Sequence, residues 1–162
     1  MGRKTIFHLP KELLIKIFLL LEPADLCKLS MVSHRANRLA SHDDVWEPMF
    51  ESTWGRPTQT IQTIVDTHLG GKENWKVLFA WFHLIKAEFS RDVNTCIETL
   101  ITSGVLNATA KSIITFFTEN VYLSRFKIFK YIYKNPRFDS KVLVSDYITH
   151  NFNFSHMELL PA

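Results

Sequence analysis

Residues 9–55 read LPKELLIKIFLLLEPADLCKLSMVSHRANRLASHDDVWEPMFESTWG. Pro10 suits the first turn of a helix, and Glu12 complements the helix N-terminus. Leu13, Leu14, Ile17, Phe18 and Leu21 then recur at helical spacing, with Leu20 adding apolar surface away from that stripe. Pro23 stops this helix and starts a second, which carries Leu26, Leu29 and Val32. Ser33 is placed to cap a third helix through Leu39. Asp43 or Asp44 caps a short turn bearing Trp46, Met49 and Phe50. The apolar side chains outnumber what so small a unit can hide. Surplus apolar surface on a small helical unit points to completion by a partner.

The whole chain has 162 residues, 46% of them apolar, with 13 Phe. That is enough for a real core and excludes disorder as the default state. A net charge of +3 does not by itself point to nucleic acid or a membrane surface. The two cysteines, Cys27 and Cys96, lie in apolar helical patterns, which fits a reducing compartment better than a disulfide framework. No apolar run approaches membrane-spanning length.

From Trp54 to Asn74 the composition shifts to GRPTQTIQTIVDTHLGGKEN, which reads as a connector with a short helix at Ile61 to His68. Beyond it the chain is helical and aromatic. Trp75, Leu78, Phe79, Phe82 and Ile85 fit one helix. Val93, Ile97, Leu100 and Ile101 fit another, ended by Gly104. Ile113, Ile114, Phe116 and Phe117 fit a third. Ser124 starts a fourth with Ile128, Phe129, Ile132 and Tyr133, ended before Pro136. Val142, Leu143, Tyr147 and Ile148 fit a fifth. Nothing alternates at period two, so the expected class is all-α.

The N-terminal pattern resembles an F-box. The matching residues are Leu9-Pro10, Glu12-Leu13-Leu14, Ile17-Phe18, Leu21, Pro23, Asp25-Leu26, Leu29-Ser30, Val32-Ser33, Leu39, Val45-Trp46 and Trp54-Gly55, in order and without a gap. One position departs: the family often has Trp three residues after the Ser matched by Ser33, and here it is Ala36, which implies less packing under the third helix. The resemblance implies a three-helix F-box over 6–55, a connector over 56–74 and a helical bundle that recognises a substrate over 75–162. It also implies docking on a Skp-type adaptor, and through it on cullin and RING subunits, as the non-catalytic substrate adaptor of a ubiquitin ligase. The expected docking residues are Leu9, Pro10, Leu13, Leu14, Ile17, Leu21, Pro23, Leu26 and Val32, with Phe18, Leu29, Leu39 and Trp46 as the core. The expected compartment is the cytoplasm, with the nucleus as an alternative, or the host cytoplasm if the chain is a pathogen effector.

The second region is similar to the first helices of the Arf guanine-nucleotide exchange domain. The points of likeness are Leu100-Ile101, Gly104-Val105-Leu106, Ile113 with Phe116-Phe117, Leu123, Ile128 with Tyr131, Val142-Leu143, and Phe152 through Phe154-Ser155. The glutamate by which that family displaces magnesium and phosphate lies beyond these helices, so no exchange activity is expected. A non-catalytic binder of Arf-type GTPases is the alternative function.

Other chemistry is weighed against. The seven histidines are scattered without metal-ligand spacing, so no metal is expected. No nucleophile and base share a motif, no Gly-rich phosphate loop occurs, and no cofactor is expected. Cys96 reads as core rather than nucleophile. The run Arg125 to Lys134 interleaves basic and aromatic residues and puts Lys127, Lys130 and Lys134 on one helix face. It reads as a solvated face with its aromatics in the core stripe, and nucleic acid is not an expected partner.

Overall fold

A computed structural model describes residues 6–134 and 138–151. Among them are ten α-helices and no strand: α1 (Lys11–Phe18), α2 (Pro23–Ser30), α3 (His34–Ala40), α4 (Asp43–Trp54), α5 (Thr58–His68), α6 (Trp75–Arg91), α7 (Val93–Thr102), α8 (Ala110–Glu119), α9 (Arg125–Lys134) and α10 (Ser140–Asn151). The chain forms two compact units. The first comprises Met1–Thr53 with Asn74–Ala80, and the second Trp54–Glu73 with Trp81–Ala162.

In the first unit, α1 and α2 both pack on α3. Pro10 sits at the N-cap of α1, one position before the first helical residue. Glu22 is extended, as a residue before proline must be, and Pro23 takes the first position of α2, where its missing N–H costs nothing. Ser33 caps α3 by accepting the Ala36 N–H at 3.1 Å. Ala36 and Ala40, four residues apart, are fully buried. Two small residues on one stripe let the neighbouring helices approach closely, so Ala36, at the position expected to loosen the module, is itself enclosed.

The expected short turn after Asp43 is a 12-residue helix, α4, with Pro48 inside it. Proline removes one hydrogen bond there. However, Val45, Trp46, Met49 and Phe50 recur at helical spacing and are all buried, which outweighs that loss. The first turns of α6 complete this unit. Asn74 accepts the Val77 N–H at 3.1 Å and starts the helix. Trp75 then meets Phe50 edge-on at 5.4 Å, and Phe79 meets Trp46 at 5.3 Å.

The second unit buries an aromatic and aliphatic core. Phe117 is fully buried between Phe89, Phe116 and Tyr131, at centroid distances of 6.0, 5.9 and 5.6 Å. The stretch 58–68, expected as connector with a short helix, is the 11-residue α5, which buries Ile61, Ile64 and Val65 and packs on α8. Its start is capped from outside. The Glu119 carboxylate accepts the Gln59 and Thr60 N–H groups, each at 3.3 Å, placing negative charge at a helix N-terminus. Beside it, fully buried Asn120 donates to Thr60 Oγ1 at 3.1 Å and to the Phe116 carbonyl at 2.7 Å, and accepts from the Tyr122 hydroxyl at 2.9 Å.

Gly104 follows α7 at φ +79°, a left-handed position that glycine adopts without strain. Its N–H reaches the Ile101 carbonyl at 3.0 Å and the Val105 N–H reaches Leu100 at 2.9 Å, closing the helix as its sequence position implied. Pro136, expected to end α9, lies outside the described residues, as do Phe152, Phe154 and Ser155.

Cys96 is buried on α7, its thiol facing the Ile85 carbonyl at 3.8 Å. Burial, with Glu88 and Asp92 adding to it, pushes the thiol up to about 12. Cys27 is exposed on α2. In the native protein iodoacetamide should label Cys27 alone near pH 8. Cys96 should react only after unfolding, because burial both shields its thiol and holds it protonated. Equal native labelling of both would contradict the burial of Cys96.

Candidate protein-docking site

The first unit exposes more apolar surface than its size explains. Leu9 is 37% exposed, Leu13 46%, Val32 68%, Met31 79% and Leu20 85%. The origin is the double stripe of α1. Leu14 and Phe18, four residues apart, point inward and are buried. Leu13 and Ile17 belong to the next stripe around the helix, and Leu13 remains in water while Ile17 is half-buried. Leu20 follows them after the helix has ended. A single eight-residue helix cannot bury two apolar stripes against α3, so one is left over.

Of the nine expected docking residues, Leu9, Pro10, Leu13 and Val32 are exposed, and Ile17, Leu21 and Pro23 are half-buried. Leu14 and Leu26 are not surface residues. Both are 0% exposed and belong to the core of the unit, because each points at the helix packed against its own. Of the expected core residues, Phe18 and Trp46 are fully enclosed, while Leu29 and Leu39 are half-buried. Trp46 fixes its ring by donating its indole N–H to the Ala40 carbonyl at 2.6 Å, and the Lys76 ammonium lies 5.9 Å from its centroid.

Ile6, Leu19 and Met31 are exposed apolar residues that pattern reading did not single out. Ile6 lies in a short 3-10 turn, and Leu19 and Met31 are helix C-caps. End positions fall outside any periodic stripe, so periodicity gives no signal for them. The charges around these residues are modest. Lys28 donates to Asp25 Oδ1 at 2.9 Å, and this bond holds the ammonium above its ordinary value. Both partners are water-exposed, so the pair contributes little to stability. A surface of this kind has no chemistry of its own. It can take up another apolar surface.

The family models divide the chain in the same sense. Residues 6–52 match the F-box-like model and residues 81–162 match the Sec7 domain model. The chain belongs to the Sec7 domain family and carries an F-box-like module at its N-terminus. Curated relatives match through the N-terminal part. An F-box/WD-40 repeat-containing protein of Arabidopsis thaliana is 33% identical over 75 residues, which is 46% of this chain and 14% of that protein. F-box/LRR-repeat protein 5 of Bos taurus is 37% identical over 51 residues, 32% of this chain and 7% of the relative, and the Mus musculus protein matches to the same extent. The matched stretch thus spans a small fraction of each relative's length. No solved structure matches the chain significantly.

In the Sec7-matching part the residues that carry the likeness are mostly interior. Leu100, Val105, Leu106, Ile113, Phe116, Phe117, Leu123, Ile128, Tyr131 and Leu143 are buried, whereas Val142 is exposed. The expectation that the aromatics of α9 lie in the core holds only for Tyr131. Phe126, Phe129 and Tyr133 are exposed. At about 100° per residue they fall opposite the buried set Ile128, Tyr131 and Ile132.

Proposed function

We propose that this F-box protein is the substrate-recognition adaptor of a Skp–cullin–F-box ubiquitin ligase. It docks on the Skp-type adaptor, and so on cullin and RING subunits, through Leu9, Pro10, Leu13, Ile17, Leu21, Pro23 and Val32, and acts in the cytoplasm or nucleus. Leu14 and Leu26 hold that face from beneath. The carrying observation is the ordered F-box match together with apolar side chains of the same segment that remain in water. Covering such side chains releases about 25 cal/mol per Å², so a standard-sized interface offsets the cost of association. In this role the chain carries no ubiquitin chemistry, and the second unit selects the target.

A pull-down with the Skp-type adaptor tests the reading. Leu9→Ala with Pro10→Ala, two exposed residues ahead of α1, should lower retention about tenfold, as losing roughly 1–2 kcal/mol of apolar burial would do. Equal retention of wild type and double variant would sink it.

The Sec7 match over 81–162 favours a second reading, a non-catalytic binder of Arf-type GTPases. An Arf-type GTPase as bait in the same pull-down discriminates. Tight GTPase retention without adaptor retention would reverse the order of the two readings.

A further inference from the structure

We propose that the exposed face of α9 rests on the surface of an anionic phospholipid bilayer. The ten residues RFKIFKYIYK contain Arg125, Lys127, Lys130 and Lys134 and no acid. One side is committed to the core by Ile128, Tyr131 and Ile132. Lys127 donates to the Ser90 carbonyl, and Arg125 donates to the Tyr147 hydroxyl at 2.6 Å, so both hold the helix in place. The opposite arc, about 140° wide on a helical projection, carries Phe126, Phe129, Lys130, Tyr133 and Lys134. Phe126 is 78% exposed and Tyr133 79%. With Val144 of α10 these five residues line a shallow groove.

Phe126 and Tyr133, with the exposed ammonium groups of Lys130 and Lys134, are the elements that anchor a surface in the headgroup region, while half-exposed Phe129 leans edge-on against Tyr147 at 5.5 Å. The rings enter the interface, and the lysines reach lipid phosphates while their stems lie along it. α9 itself holds four basic residues and no acid, and its exposed arc carries two of them, which complements an anionic leaflet. Two common modes of peptide capture need a deep groove or a strand edge to add to. The groove is shallow, and no strand occurs among the described residues. The contact is peripheral, since no described helix is long and apolar enough to cross a membrane.

The test is co-sedimentation of the full chain with vesicles of equimolar phosphatidylcholine and phosphatidylserine, and with phosphatidylcholine alone. Binding is expected only to the first, and it should weaken as salt rises. Lys130→Gln with Lys134→Gln should lower the partition coefficient about twenty-fivefold, at roughly fivefold per lysine. Phe126→Ser with Tyr133→Ser should lower it as well. All four positions are exposed, and an unchanged melting curve for each variant separates lost binding from lost fold. Failure to bind, equal binding to both vesicles, or variants that bind like wild type would overturn the proposal. Retention of a single-stranded oligonucleotide, or self-association in solution, that these substitutions abolish while vesicle binding is absent would assign the face to nucleic acid or to a second copy and overturn it too. Adaptor retention in the pull-down is independent of every one of these outcomes.

Discussion

Trp46→Ala should lower the stability of the first unit by about 3–5 kcal/mol, the range for removing a buried tryptophan. The indole is 2% exposed, meets Phe79 edge-on at 5.3 Å, and donates to the Ala40 carbonyl at 2.6 Å. Alanine would leave a cavity between α4 and the first turns of α6, and a carbonyl without its partner. Total stabilities of domains run to about 5–15 kcal/mol, so the variant would stand near the edge of folding and would lose adaptor docking with it. Trp46→Phe keeps a smaller ring against Phe79 and loses the hydrogen bond with part of the packed volume, so it should cost about 1–3 kcal/mol, less than alanine. Urea titration followed by far-ultraviolet circular dichroism separates the two. Midpoints that move by the same amount for both variants would show that the ring contributes nothing beyond its N–H group.

The second large effect is expected at Asn120→Leu, a change that keeps volume and removes both polar atoms. It should cost about 2–4 kcal/mol, because a buried network loses its hub and leaves unmade bonds behind. The chief orphan is the Tyr122 hydroxyl, whose acceptor is Asn120 Oδ1. Burial already holds this phenol above its ordinary value, so it remains a neutral donor in need of an acceptor. Its ring is held by Trp54 at 4.9 Å and Phe82 at 5.9 Å, which aims the hydroxyl at Asn120. Tyr122→Phe in the Asn120→Leu background should therefore cost less than it does alone, with a coupling of about 1 kcal/mol or more. Strict additivity of the two changes in the same urea titration would mean that the amide and the hydroxyl do not interact.

Much of the local structure was legible from residue type alone. Pro23 could only end one helix and begin the next, Ser33 could cap, and Gly104 could close α7, because these roles depend on backbone conformation and short-range hydrogen bonds. Two helices run longer than expected for a common reason. The segment from Trp54 to Asn74 reads as a connector with only a short helix at Ile61 to His68 because its Thr and Gln residues weaken the apolar period, and the stretch after Asp43 reads as a short turn bearing Trp46, Met49 and Phe50. Both are helices in the fold, where the long-range packing of Ile61, Ile64 and Val65, and of Trp46 and Phe50, overrides a weak local signal. The docking face was legible as a set but not residue by residue. Spacing alone gives Leu13 and Leu14 equal claims to the surface.

By itself, then, the amino-acid order determined an all-α chain with an apolar excess between Leu9 and Gly55, since helical period, caps and prolines are encoded within a few residues of where they act. Which apolar residues are spent on the core was decided only in three dimensions. Leu14 and Leu26 went inward, while Leu13, Leu20 and Val32 stayed in water. The rings of α9 divided likewise, Tyr131 to the core and Phe126 and Tyr133 to the surface. The physical reason is that a helix buries only the stripe that its neighbours can cover, and which neighbours arrive depends on residues far away in the chain.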